Sequence, residues 1–98
     1  MGELSNVLKA IRPSEIVRLT AELIKIPSVH PGLATVSTGL CGDEEQLAEY
    51  VAKELDAAGL EVSVDYVEKK RPNVIGRIRG DGTAHNLILN GHMDTIQE

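Results

Sequence analysis

Phenylalanine and tryptophan are absent from this chain, and tyrosine occurs only at positions 50 and 66. Any core must therefore be aliphatic. Cys41 is the single cysteine, which rules out an internal disulfide and fits a reducing compartment. Met1 to Arg12 hold no apolar stretch long enough for a signal peptide or a membrane span. Cytoplasmic is the expected location. Basic residues are scarce as well. With a net charge of −5 and only one basic run, Lys69-Lys70-Arg71, the chain offers no stripe for nucleic acid. Beside Pro72 and Asn73 that run reads as a solvated turn rather than an anion site. At 98 residues the chain makes one small domain at most, of a size that buries about 60% of its unfolded surface.

What is present is a clear order of elements. Met1–Arg12 reads as a frayed or loosely helical lead-in. Ser14 stands where an N-cap would, ahead of Glu15, and Ile16, Leu19, Leu23 and Ile26 follow at helical spacing until Pro27 stops the run. The spacing predicts a helix over 14–26. Residues 27–42, with two Pro and three Gly, form a loop of sixteen, a length often associated with function. Asp43 with Gln46 forms a capping box for a second helix over 44–58. Leu47, Tyr50, Val51, Leu55 and Ala58 line one face of that helix, and Gly59 takes the left-handed position after it.

Three strand-like segments follow. In Leu60–Val67, Val62, Val64 and Tyr66 alternate with polar residues, as in a half-exposed strand. A turn over 68–72 leads to Asn73–Arg79, and the two are expected to form an antiparallel hairpin. Gly80-Asp81-Gly82 makes a further turn. Asn86–Asn90 then carries Leu87, Ile88 and Leu89 without alternation, the mark of a strand covered on both faces. Two helices can cover one face of a three-stranded sheet, and nothing else in the chain can cover the other face of that last strand.

The chemistry gathers just after it. Gly91 relieves crowding as the backbone leaves the sheet, and His92 and Asp94, two apart, point the same way in an extended backbone. Neutral imidazole is a good zinc ligand, and its second nitrogen normally donates to a carboxylate that fixes the tautomer. The triplet alone also fits a plain hydrogen-bonded pair. His30, Cys41 and His85 are the other metal-capable residues. His30 reads first as an exposed loop residue with a substrate or metal contact as the alternative, His85 as the start of a strand, and Cys41 as inert. Their spacing with His92 and Asp94 matches no compact four-ligand zinc motif.

Leu23-Ile24-Lys25-Ile26-Pro27-Ser28-Val29, Gly42-Asp43-Glu44-Glu45-Gln46-Leu47-Ala48 and the block from Asn86 to Thr95 stand in a telling order. Together they make the chain resemble the amino-terminal part of a family of co-catalytic zinc hydrolases. That family contains acetylornithine deacetylase, succinyl-diaminopimelate desuccinylase, aminoacylase and carboxypeptidase G. Gly91-His92-Met93-Asp94-Thr95 is the most specific block.

The resemblance implies an α/β class, an incomplete zinc-exopeptidase-like fold of two helices followed by three strands of a mixed sheet. It implies that residues 1–98 are the amino-terminal portion of a catalytic domain, with a later strand expected between the second and third strands here. It makes His92 the first zinc ligand and Asp94 the carboxylate that serves the chemistry by orienting it. In the family two zinc ions share a bridging carboxylate, a Glu acts as general base, and a lid domain usually carries dimerisation; all of these fall beyond position 98. The expected activity is hydrolysis of an amide bond in N-acyl amino acids or small peptides. The isolated chain is expected to hold at most a partial site, to be inactive, and to be poorly folded or to pair with another copy. The alternative is a truncated, non-catalytic paralogue or interaction module in which His92 and Asp94 are a structural pair.

Overall fold

A computed structural model describes residues 2–29 and 44–95. Helix α1 spans Gly2–Ala10, α2 spans Pro13–Ile24 and α3 spans Glu45–Ala57; strands β1, Glu61–Glu68, and β2, Arg71–Arg77, follow. The lead-in is thus a formed helix, although every residue of α1 is exposed. Of the two helices expected to cover the sheet, α3 packs on it most extensively.

The start of α2 differs from the sequence reading. Arg12, not Ser14, occupies the N-cap with extended backbone angles, and Pro13 takes the first helical position. Proline suits that place because its missing N–H has no partner there anyway. Glu15 and Ile16 both donate their amides to the Arg12 carbonyl, at 3.0 and 3.3 Å. Ser14 lies one residue inside. The Arg18 guanidinium, bonded to the Glu15 carboxylate at 3.0 Å, holds the Glu15 pKa below the usual range. The same Arg18 reaches Glu54 of α3 at 3.5 Å.

At α3 the cap also departs from expectation. Asp43 lies outside the described residues, and Glu44 holds the cap position with no side-chain cap bond. Its carboxylate is drawn elsewhere, as described below. The far end is as the sequence implied. Gly59 has φ +92°, its amide donates to the Asp56 carbonyl at 2.9 Å, and the Leu60 amide donates to the Leu55 carbonyl at 3.1 Å. These two bonds make a Schellman cap. A Cβ at Gly59 would meet nothing within 4 Å, so a side chain there is penalised through the backbone angle alone. Gly59→Ala is therefore expected to destabilise the fold by about 1–2 kcal/mol, the cost of a left-handed non-glycine residue. Chemical denaturation followed by circular dichroism checks it.

β1 and β2 form the expected antiparallel hairpin, with Val62 opposite Gly76, Val64 opposite Val74 and Tyr66 opposite Pro72. The turn is tighter than 68–72. Glu68 pairs with Arg71, leaving Lys69 and Lys70 to reverse the chain, with Lys70 at φ 66° and an irregularity between Tyr66 and Glu68. Pro72 is tolerated because both strands of a two-stranded sheet are edges.

α3 covers the sheet face that carries Val62, Val64, Tyr66, Val74 and Gly76. The Tyr66 hydroxyl donates to Glu45 at 2.8 Å. A Cβ on Gly76 would lie 2.8 Å from Leu60 Cδ2 and 3.1 Å from Leu55 Cδ1, so the bare glycine lets the end of α3 settle on β2. Leu47 and Ala48 are the buried apolar residues of this small core.

The third strand does not form among the described residues. The sheet there has two strands, and residues 86–90 adopt no regular structure. Leu87, Ile88 and Leu89 are 83%, 85% and 87% exposed. Pairing them onto the hairpin would leave both their faces wet, because α3 is already spent on β1 and β2. In place of the expected turn at 80–82 the chain bends at 82–84, and Asp81 accepts from the Thr83 hydroxyl at 2.6 Å and the Thr83 amide at 2.9 Å, which hold its pKa below the ordinary value. No helix among the described residues is long and apolar enough to cross a membrane.

Candidate functional site

Residues 91–95 leave the exposed apolar run and return to the body of the chain. Thr95 forms an isolated parallel bridge with Val29, and its amide donates to the Ser28 carbonyl at 2.9 Å. The Ser28 and Thr95 hydroxyls lie 3.4 Å apart, and Ser28 is buried. This anchor sits one residue beyond Asp94.

His92 and Asp94 are brought together. His92 Nδ1 lies 3.0 Å from Asp94 Oδ1 and 2.9 Å from the Asp94 backbone carbonyl. Both oxygens can only accept, so Nδ1 must carry the proton and donate to them. In a neutral ring Nε2 is then the bare nitrogen. The His92 side chain is 83% exposed while Asp94 is one-third exposed, so the ring projects outward from a carboxylate that is partly shielded. Such a pair can offer one imidazole lone pair of fixed tautomer to an electrophile.

A second charged group stands nearby. Glu44, at the cap of α3, is buried, and its amide donates to the Lys70 carbonyl at 3.3 Å. Arg71 at the start of β2 donates to it twice, Nε to Oε2 at 3.3 Å and Nη2 to Oε1 at 3.4 Å. The Glu44 hydrogen bond first, and then the charges of Glu44, Glu68 and Asp94, raise the Arg71 pKa against the opposing effect of desolvation. Arg71 therefore lies within electrostatic range of Asp94 while being held by Glu44. Glu44 is buried while Arg71 is one-third exposed, so removing Arg71 strands a buried carboxylate, whereas replacing both with apolar groups is often neutral. Arg71→Met alone is accordingly expected to lower the melting temperature, and Glu44→Leu combined with Arg71→Met to recover it; thermal melts of the two proteins check this.

The other sequence candidates do not join the pair. His30 and Cys41 lie outside the described residues. His85 is exposed and belongs to no strand, so its expected place at a strand start is not realised. Among the described residues no three His, Cys, Asp or Glu side chains gather as a metal cluster. The residues present thus fit one zinc ligand with its orienting carboxylate, and not a closed site. Sequence reasoning missed Ser28, Thr95, Glu44 and Arg71. Their contacts join segments 27 to 67 residues apart, which no local periodicity reports.

Comparisons with protein-family models, with curated proteins and with solved structures return no match to this chain.

Proposed function

We propose that this chain supplies the first metal-ligand arm of a zinc-dependent hydrolase that cleaves an amide bond in N-acyl amino acids or small peptides. His92 is the ligand through Nε2, and Asp94 orients it. The observation that carries the reading is the seating of His92 Nδ1 against two acceptors, which leaves Nε2 as the outward nitrogen. The resemblance of the blocks at 23–29, 42–48 and 86–95 to zinc hydrolases supplies the reaction class. Zinc, when bound, provides Lewis acidity toward the amide carbonyl and lowers the pKa of the attacking water. No residue of this chain is assigned as a further ligand, as a ligand to a second zinc or as the general base.

The competing reading is an interaction module in which the His92–Asp94 pair is structural. It draws on the exposure of Leu87, Ile88 and Leu89. Zinc separates the two. The protein expressed from its native gene is purified without chelator, assayed for metal, and tested on a panel of N-acyl amino acids. The hydrolase reading expects bound zinc and an activity that chelator removes and zinc restores. A metal-free protein without hydrolysis, or hydrolysis indifferent to chelator, contradicts it. For the 98-residue chain alone, calorimetric titration with zinc is expected to show weak binding, because one imidazole does not make a four-ligand site. Tight stoichiometric uptake by a monomer would refute the half-site assignment.

A further inference from the structure

The placement of the His92–Asp94 pair depends on very little. Among the described residues, the hydrogen bonds that tie segment 86–95 to the rest of the chain converge on two residues. The Thr95 amide donates to the Ser28 carbonyl at 2.9 Å, and the two hydroxyls stand 3.4 Å apart. Val29 and Thr95 add a single parallel bridge. The segment is exposed from Asn86 through His92, with the three aliphatic residues at 87–89 more than four-fifths exposed, and only Met93 and Asp94 are half-buried. Ser28, in contrast, is 5% exposed. It follows Pro27, which ends the run of α2 and turns the chain toward position 95.

We infer that Ser28 and Thr95 form a clasp that positions the His92–Asp94 pair, acting through the one peptide link between Thr95 and Asp94. The inference rests on the reading of His92 as a zinc ligand. A ligand presented from a segment without secondary structure needs an anchor close to it, since conformational entropy is lost anew for each residue left free. With Thr95 fixed, the Asp94 carbonyl and carboxylate are held where both accept from His92 Nδ1. With Thr95 released, the bond between His92 and Asp94 holds the ring with only the partial burial of Met93 and Asp94 beside it, and an ion pair open to solvent on the His92 side does so weakly. Ser28 and Thr95 are thus positioning residues. They bear no role in the chemistry beyond fixing the arm.

The test uses the protein expressed from its native gene. Ser28→Ala combined with Thr95→Val deletes both hydroxyls, and Ser28→Val overfills the buried position and pushes the two segments apart. Thr95→Ser keeps the hydroxyl and serves as rescue. The first readout is the ring nitrogen resonances of His92 at fixed pH, and the second is zinc affinity by chelator competition. The clasp expects a single Nδ1–H tautomer in the starting protein and in Thr95→Ser, and averaged signals in the other two variants. Zinc affinity should fall about tenfold in those two, the low end of what outer-sphere partners contribute. The melting temperature should change little in Ser28→Ala with Thr95→Val and should fall in Ser28→Val, which overfills a buried position. Ring resonances unchanged in both disruptive variants overturn the clasp. A starting protein that takes up no zinc, but whose ring signals still average in the variants, overturns the hydrolase reading and leaves the clasp standing.

Discussion

On the zinc-hydrolase proposal, replacing His92 with alanine in the protein expressed from its native gene is expected to bring amide hydrolysis to the level reached with chelator, while leaving the melting temperature unchanged. The separation of the two effects follows from the position of the ring. Its side chain is 83% exposed and packs against nothing in the core, so removing it deletes no buried contact. What it deletes is the outward Nε2. Asp94→Asn is the graded counterpart. The amide oxygen of Asn can still accept from Nδ1, but without the charge that raises the basicity of the ring. Zinc affinity is expected to fall by about 10–100-fold, the effect usual for partners behind a metal ligand. Hydrolysis rates with and without added zinc, measured beside thermal melts, distinguish these outcomes. A His92→Ala protein that hydrolyses like its parent would end the metal assignment.

The second large effect concerns the run before that site. Leu87, Ile88 and Leu89 each stand more than four-fifths exposed. Burying one such side chain stabilises by about 1.5–3 kcal/mol, so a surface that covers all three gains about 4.5–9 kcal/mol. Unpaired apolar segments of this kind template pairing with other chains. The 98-residue chain is expected to self-associate as its concentration rises, and Ile88→Lys to shift it toward monomer without lowering the stability of α3 and the hairpin. Size-exclusion chromatography across a concentration series reads the first expectation, and a thermal melt the second. A parent chain that stays a monomer and melts cooperatively would show that the run needs no cover.

Much of the local structure was legible. The helical face of Leu47, Tyr50, Val51 and Leu55, the glycine after it, and the alternation of Val62, Val64 and Tyr66 each carry a short-range signal with a definite period. Those signals gave α3, its Schellman cap and the hairpin. The errors fall where two local rules compete. Ser14 is a good capping residue, but Pro13 before it fits the first helical position better, so the cap moves back to Arg12. The turn contracts because Lys70 accepts a left-handed backbone and Pro72 can sit on an edge. The apolar run at 87–89 has the composition of a covered strand, and composition reports what a segment needs rather than whether a neighbour supplies it.

The site was legible in part for the same reason. His92 and Asp94 are two residues apart, and the structure joins them as that spacing suggested. Ser28 with Thr95, and Glu44 with Arg71, are contacts between distant segments and leave no trace in periodicity. Glu44 shows the difference well. In the sequence it is one polar position at the head of an amphipathic helix, yet its carboxylate turns to Arg71 across the chain.

The most direct test of His92 as a zinc ligand oriented by Asp94 is a zinc titration of the protein expressed from its native gene, followed through the ring nitrogen resonances of His92. The predicted result is a large shift of Nε2 on zinc addition while Nδ1 keeps its proton. Ring resonances that do not move as zinc is taken up would contradict it.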